Sequence, residues 1–208
     1  MDIMNNTYAK LIDEKLVLFR NPLQKDGMDI YNPSAEVLAG EGYKPYTEED
    51  VDSSRLDVCD LGFEYQETDT EIRKVWIYTP NLEKAKSAKL SEINAACDEI
   101  LNTAVNTYPQ TEVLTFDQQA TEADKYLSTG NEADAPLLAA LAAGRGIALG
   151  ELVQRVKAKT TAFTALSGSI IGQRQALEDR LDACETVEEV QLISVDFNLP
   201  EMVNAEAS

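Results

Sequence analysis

The chain has 208 residues, enough for one domain or for two smaller ones that each bury a core. Its 37 acidic residues outnumber its 18 basic residues, and the formal net charge is −19. A surface this negative repels nucleic-acid phosphates and anionic membranes, so we predict that the protein binds neither nucleic acid nor a membrane directly.

The sequence contains no histidine, and this absence removes several kinds of chemistry. Catalytic triads with a histidine base and histidine-ligated metal or haem sites are excluded. The spacing Gly144-x-Gly146-x-x-x-Gly150 has one residue too many for the dinucleotide fingerprint. We predict that the protein is not an enzyme and has no catalytic, cofactor-binding or metal-binding residues.

Three features bear on location and redox state. Residues 1–6 lack the basic end and apolar core of a signal peptide, which predicts folding in the cytosol. The longest apolar run, residues 136–143, is far shorter than the ~20 residues of a membrane helix. Cys59, Cys97 and Cys184 are widely spaced and odd in number, which predicts reduced core cysteines and argues against disulfides or a zinc site.

The first elements along the chain are predicted to be a hairpin and a short helix. Two β-rich runs, residues 8–12 and 15–19, flank Asp13 and Glu14, although this turn lacks the preferred glycine. After a loop around residues 22–27, Asn32 provides a capping side chain and Pro33 follows at the first helical position. Gly40 and Gly42 then predict the end of this helix.

Two further strands are predicted at residues 61–67 and 72–78, joined near Asp69. The acidic run at residues 47–54 predicts a solvated loop, because Arg55 stands where an EF-hand needs glycine. With the opening hairpin, the strands predict a small antiparallel sheet with one covered face. Trp76 is the single tryptophan, and at a strand position it belongs either to the core or to a ligand-binding surface.

A change of composition at residues 79–81 predicts a boundary between two modules. Residues 1–80 form a small β-rich docking module, and residues 81–208 form a helical bundle. The overall prediction is an α+β protein. In the second module, a helix is predicted at residues 82–107. A second is predicted from a capping box at Thr115 and Gln118 to residue 127, closing at Gly130, and a third from the start signal at Asp134 until Gly144-Arg145-Gly146.

A long helix is predicted at about residues 148–183 from an apolar stripe with a seven-residue repeat. At 1.5 Å per residue this helix would be ~50 Å long. Polar residues at Thr160, Ser167 and Arg174 weaken a seam while fixing its register. The stripe would serve an internal bundle or an intermolecular coiled coil. We favour a bundle spine covered by the three preceding helices, because Leu152, Leu166 and Ile171 widen the apolar face.

The part of the long helix at residues 168–181 is predicted to project and meet another chain. Gly168 and Gly172 lie on one side of the helix and indicate either close approach of a neighbouring helix or a bend. Arg174 either pairs with an acidic group across an interface or reaches water. The candidate interface residues are Phe163, Ile170, Arg174, Leu177, Leu181 and Trp76. A short helix at residues 186–190 and a frayed tail from Glu201 complete the prediction.

Several short motifs resemble known proteins when they are taken in order. In the first module the motifs at residues 8–18, 31–34 and 41–45 resemble the N-terminal region of small proteins encoded by phages and prophages of gut bacteria. The second module resembles the C-terminal domain of tail-fibre-associated and tail-fibre-assembly proteins of tailed bacteriophages. The residues that carry this second resemblance are Tyr108-Pro109, Glu112, Phe116, Gln118, Glu122-Ala123, residues 136–141, Arg145-Gly146-Ile147 and Ile171-Gly172-Gln173-Arg174.

The resemblance implies a non-enzymatic structural or accessory protein of a phage tail, baseplate or fibre attachment. Its partners would be other tail or fibre proteins, with a homo-oligomer as a further possibility. It would be found in the host cytoplasm during assembly and then in the virion tail. Two alternatives stay open: an assembly chaperone that is not retained in the virion, and an acidic mimic of nucleic acid that binds a basic host protein.

Overall fold

The computed structural model describes residues 7–200 of the chain. The predicted α+β class is confirmed, with a strand-rich N-terminal part followed by helices that include one long helix. The expectations for residues 1–6 and for the tail from Glu201 lie outside the described residues.

The chain divides into two compact units, Met1–Ala85 and Lys86–Ser208. The division falls five residues after the boundary predicted at residue 80, inside the first long helix, Leu82–Val105. The first turn of this helix is tied to the sheet, because Lys84 Nζ donates to the carbonyl of Cys59 at 3.1 Å and pairs with Asp60 at 2.9 Å. Each unit is described by itself below.

The first unit contains a five-stranded sheet and a separate two-stranded hairpin. Within the described residues the strands are β1 Thr7–Ile12, β2 Lys15–Leu18, β3 Leu23–Lys25, β4 Met28–Ile30, β5 Lys44–Glu48, β6 Cys59–Glu67 and β7 Ile72–Pro80. The large sheet has the order β2-β1-β5-β7-β6, and β3 pairs with β4. Ala9, Cys59 and Ile72 are buried, and the strand pairing places all three on the face of the sheet that also carries Trp76.

The pairing differs in one place from the antiparallel sheet that we predicted. Three of the four pairings in the large sheet are antiparallel, but β5 and β7 run parallel, with Tyr46 opposite Ile72. The reason is topological, because β6 is inserted between them in the sequence and pairs on the far side of β7. The β3–β4 hairpin was not predicted either, since its three-residue strands show no clear alternation.

The opening hairpin is confirmed. Asp13 and Glu14 take φ values of 49° and 62°, so both central residues adopt the left-handed conformation of a type I′ turn without glycine. The predicted short helix is also present, as α1 Ala35–Gly40, but its start was placed too early. The N-cap is Ser34, whose hydroxyl accepts from the Val37 N–H, and Pro33 precedes the cap.

The remaining helices have the bounds α2 Leu82–Val105, α3 Gln110–Val113, α4 Phe116–Thr129, α5 Pro136–Arg145, α6 Leu149–Asp182 and α7 Val187–Gln191. The long helix, the short final helix and the ends of α4 and α5 at Gly130 and Gly146 are confirmed. The predicted capping box at Thr115 is wrong. Thr115 continues the helical turn of the unpredicted α3, and its hydroxyl donates to the Glu112 carbonyl.

A buried carboxylate caps α5 from a neighbouring helix. The N-cap position of α5 is Ala135, which has no side-chain oxygen, and the predicted Asp134 lies one residue too early. Glu122 of α4 is only 6% exposed, and its Oε2 accepts from the backbone N–H of Leu138 at 3.0 Å. Its Oε1 accepts from the Gln118 amide at 2.9 Å. The carboxylate therefore satisfies a helix N–H that the local sequence leaves without an acceptor.

Helix α6 is buried at its two ends and open in its middle. Its first part packs with α4 and α5 in a cluster of buried residues, namely Ala123, Ala135, Leu138, Ala142, Leu152, Val153 and Val156. Its last part buries Ile170, Leu177 and Leu181. Between Val156 and Ile170 no residue is buried. The bundle-spine interpretation is therefore right for the ends of α6 and wrong for its middle.

Helices α2 and α6 lie antiparallel along the second unit. Lys86 Nζ donates to the Asp182 carbonyl at 2.9 Å, and Arg174 donates to the Asn94 side chain at 3.1 Å. Further along, Lys159 Nζ donates to the Tyr108 hydroxyl at 2.7 Å. The residue numbers rise along one helix as they fall along the other, as expected for an antiparallel pair.

The two glycines of α6 do not mark a close helix contact within this chain. A Cβ placed at Gly168 or at Gly172 would meet no heavy atom of the described residues within 4 Å. Of the two interpretations, close helix approach and a bend, close approach by a neighbouring helix of the same chain is therefore wrong.

The described residues contain no single helix that is long and apolar enough to cross a membrane; α5 and α6 pass that test only when taken together across a bend of 110°.

The cysteines are free, as predicted. Cys59 and Cys97 are buried in the core as predicted, but Cys184 is partly exposed, so the core prediction is wrong for Cys184. Burial raises the pKa of the Cys97 thiol above its usual value.

Candidate binding surface on the sheet

The six predicted interface residues do not form one surface. Ile170, Leu177 and Leu181 are 0%, 6% and 2% exposed, so they belong to the core of the second unit and cannot contact another chain in this conformation. The apolar stripe predicted that these side chains are packed. It did not indicate whether their neighbours lie in the same chain or in another chain. The predicted projection of residues 168–181 is wrong for these three side chains.

The other two predicted residues of α6 have different surroundings. Arg174 pairs with Glu178 of the same helix at 2.9 Å and donates to Asn94 of α2. Both of these guanidinium contacts lie within the second unit, so Arg174 does not extend freely into water. Phe163 is 42% exposed and lies in the open middle of α6. It is the only predicted α6 residue that presents a large apolar side chain to solvent.

Trp76, in the first unit, lies within a group of aromatic side chains. Opposed residues of an antiparallel pair share one face of a sheet, and Phe63 is opposite Trp76 while Tyr65 is opposite Lys74. On the parallel side, Glu48 of β5 is opposite Lys74. The aromatic face, as we call it, consists of Tyr46, Phe63, Tyr65, Lys74, Trp76 and Tyr78.

Lys74 lies at the centre of the aromatic face. Its ammonium is 3.9 Å from the centroid of the Trp76 ring and 4.8 Å from that of Phe63. The same nitrogen donates to the Glu48 carboxylate at 2.6 Å. Phe63 makes edge-to-face contacts with Trp76 and with Tyr65, with ring centroids 6.0 Å and 5.4 Å apart. These contacts fix the orientations of the rings.

The electrostatics of the aromatic face follow from these contacts. The hydrogen bond from Lys74 lowers the pKa of the Glu48 carboxyl. Burial, followed by the charge of Glu48, raises the pKa of the Tyr46 hydroxyl to about 12. Tyr46 therefore stays protonated and donates to Glu48 at 3.2 Å. The three side chains form a chain of polar contacts beside the exposed rings.

The loop between β5 and β6 fixes the other end of the aromatic face. The Trp76 indole N–H donates to the Glu49 carbonyl at 2.7 Å, and the Tyr78 hydroxyl accepts from the backbone N–H of Asp52 at 2.7 Å. The Arg55 guanidinium lies 4.2 Å from the centre of the Tyr78 ring. Trp76 and Tyr78 are thus held in fixed orientations in the free protein, so the surface is preorganised for binding.

The exposed part of the surface is apolar. Phe63 is 51% exposed and Leu61, on the same side of β6, is 39% exposed. Rigid aromatic side chains with an apolar rim are typical of surfaces that bind other proteins. Residues 7–200 bring together no group of three or more Cys, Asp or Glu side chains that could hold a metal ion.

Sequence reasoning selected Trp76 but missed its neighbours. The alternation of Leu61, Phe63 and Tyr65 along one strand was a usable signal, because alternate residues share a face. Tyr46, Glu48 and Lys74 join them only through the parallel pairing of β5 with β7, which has no local signature.

Comparisons with known proteins give one partial match. A family model described as the HI1402 helical domain matches residues 158–195, which span most of α6 together with α7. The match is confined to a minor part of the second unit. Searches of the curated proteins and of the solved structures found no match.

Proposed function

We propose that the protein is a non-enzymatic accessory protein of a bacteriophage tail, where it belongs to the tail, the baseplate or the fibre attachment. Its first unit docks on another tail or fibre protein through the aromatic face, and its second unit is a helical framework. The protein is made in the host cytoplasm and is retained in the virion tail.

The observation that carries the proposal is the exposed aromatic face. Phe63 is half exposed, yet it contacts Trp76, Tyr65 and Lys74, so the surface is both apolar and rigid. Burying such a surface against a partner contributes about 25 cal/mol per Å² of apolar area, without the entropic cost of ordering the rings. This is the expected property of a surface that binds a protein permanently.

The tail assignment is supported by the order of the resembling motifs and by the places they occupy. Tyr108 and Phe116 contact each other edge to face at 5.2 Å, and Gln118 and Glu122 share a hydrogen bond. Pro136 begins α5, next to the cap that Glu122 provides. These particular motif residues therefore join α4 to its neighbours, which supports a helical framework like that of the resembling proteins.

Mass spectrometry of purified particles of the phage that encodes the chain tests the proposal. We expect the protein as a stoichiometric component of the washed particles. If mature particles lack the protein while its deletion leaves fibres aggregated, the protein is an assembly chaperone and the virion role is wrong.

A further inference from the structure

Strand β6 forms an open edge of the large sheet. It is the last strand in the order β2-β1-β5-β7-β6, and among residues 7–200 its nine residues pair only with β7. Its sequence contains no lysine, arginine or proline, which are the residues that commonly protect an edge strand from further pairing. Its backbone is therefore available to another strand.

The alternation of the hydrogen bonds between β6 and β7 shows which backbone groups of β6 point away from β7. The Asn81 N–H donates to the Val58 carbonyl, and the Thr68 N–H donates to the Glu71 carbonyl. In an antiparallel ladder these bonds flank the non-hydrogen-bonded pairs Cys59/Pro80 and Glu67/Ile72. The two kinds of pair alternate along the strands, so pairs two residues apart are again non-hydrogen-bonded. Every odd-numbered residue of β6 therefore directs its N–H and C=O away from β7.

The outward groups between the two ends of β6 belong to Leu61, Phe63 and Tyr65. Within residues 7–200 none of their backbone N–H or C=O groups takes part in a hydrogen bond beyond the sheet ladder. The side chains of Leu61 and Phe63 are exposed as well. An incoming strand would therefore gain backbone hydrogen bonds and apolar contacts at the same three residues.

The two sides of β6 differ in chemistry. Phe63 and Tyr65 belong to the aromatic face, and Leu61 lies on the same side of the sheet. Asp60 and Glu64 lie on the opposite side. Asp60 is paired with Lys84, but the Glu64 carboxylate accepts only from the neutral Gln66 amide among the described residues. A strand beside β6 meets apolar side chains on one face and carboxylates on the other.

We infer that β6 binds an extended segment of a partner protein as an additional strand, and that this segment alternates apolar residues with lysine or arginine. Its apolar side chains would pack beside Leu61 and Phe63, and its basic side chains would lie beside Asp60 and Glu64. A second copy of this chain fits less well, because it carries the same carboxylates and a net charge of −19. The inference names the partner chemistry of the docking surface and in that sense rests on the proposed function.

The test uses the full chain and an acetylated, amidated heptapeptide of alternating lysine and valine as the probe. We expect saturable binding that weakens with salt, seen as a change in the fluorescence of Trp76. Hydrogen exchange should slow at the amides of Leu61, Phe63 and Tyr65. Binding of a matched peptide of alternating glutamate and valine with equal affinity would overturn the charge assignment.

Two controls separate strand addition from simple charge attraction. N-methylation of the probe at alternate residues removes its edge hydrogen bonds without touching the protein, and binding should fall by at least about tenfold. In the protein, Leu61→Pro removes an outward N–H that the sheet does not use, whereas Leu61→Thr keeps it. We expect loss of binding for the first variant and retention for the second. Unchanged binding of the methylated probe would overturn the inference.

The experiment is independent of the test of the proposed function. If the peptide fails to bind but the protein is a component of purified particles, the strand-addition inference is wrong and the tail role stands. If the peptide binds but the particles lack the protein, the tail role is wrong. An increase in solution mass that Leu61→Pro abolishes would identify a second copy as the occupant and would overturn the choice of a basic partner.

Discussion

The Lys74 ammonium lies 3.9 Å from the centre of the Trp76 ring and 2.6 Å from the Glu48 carboxylate, so one cation contacts both an aromatic ring and a carboxylate of β5. Its side chain is only 16% exposed. Trp76 is therefore in contact with a charge that is mostly shielded from water.

Replacing Lys74 by glutamine tests this contact. Lys74→Gln removes the cation from Trp76 and Phe63 and leaves Glu48 without its ion pair, so we expect a loss of about 1 kcal/mol in the free energy of unfolding. Urea denaturation followed by the fluorescence of the single tryptophan measures both the stability and the surroundings of Trp76. Lys15→Gln on β2 is the control, and an equal effect of the two changes would contradict the role of Lys74.

The ionisation of Tyr46 gives a prediction at high pH. Its pKa is raised from 10.0 to about 12, first by burial and then by Glu48. The folded state holds this proton more tightly than the unfolded state. The stability that it contributes is therefore full below pH 10 and is lost as the pH rises through about 12.

Glu48→Gln should lower the pKa of Tyr46 while leaving it above its ordinary value, because burial is the larger cause. The measurement is the ultraviolet absorbance of tyrosinate during alkaline titration, taken as the difference from Tyr46→Phe. A Tyr46 pKa that does not change in Glu48→Gln would show that the two groups are not coupled.

The cap on α5 predicts a large effect of Glu122. Glu122→Ala leaves the buried Leu138 N–H without an acceptor and removes the partner of Gln118, so we expect a loss of about 2–3 kcal/mol in the free energy of unfolding. Circular dichroism during urea denaturation measures it. The exposed Glu112, whose side chain makes no such contact in the described residues, is the matched control and should change stability by less than about 0.5 kcal/mol when replaced by alanine.

The two halves of the apolar stripe on α6 can be compared directly. Ile170 is fully buried, and Ile170→Asp should destabilise the second unit by several kcal/mol, because it places a charge in an apolar core. Phe163→Asp, at a residue that is 42% exposed, should cost much less. The melting temperatures of the two variants measure this difference in stability. An unchanged melting temperature for Ile170→Asp would show that α6 is not packed at Ile170.

Local patterns predicted the elements of this fold better than their arrangement. The hairpin at Asp13 and Glu14 and the helix Leu149–Asp182 follow from alternation and from a seven-residue repeat, which the nearby sequence contains. The parallel pairing of β5 with β7 and the cap from Glu122 to Leu138 join residues far apart in the chain. Nothing in their immediate sequences indicates those partners.

The same limit applies to the candidate surface. The apolar stripe placed Ile170, Leu177 and Leu181 on one packed side of α6, but whether that side faces its own chain or another depends on residues far away in the sequence. Trp76 was selected because tryptophan is rare and large, whereas Lys74 and Tyr46 became visible only when the register of three strands was known.

The most direct test of the central claim is the copy number of the protein in purified phage particles for two matched variants, Phe63→Ser on the aromatic face and Ile77→Ser on the opposite face. Ile77 is 42% exposed and lies on β7 next to Trp76, so it controls for the loss of an exposed apolar side chain from the same sheet. We predict that Phe63→Ser is largely missing from particles while Ile77→Ser is incorporated like the original chain. Equal incorporation of both variants, or absence of the original chain from particles, would contradict docking through the aromatic face.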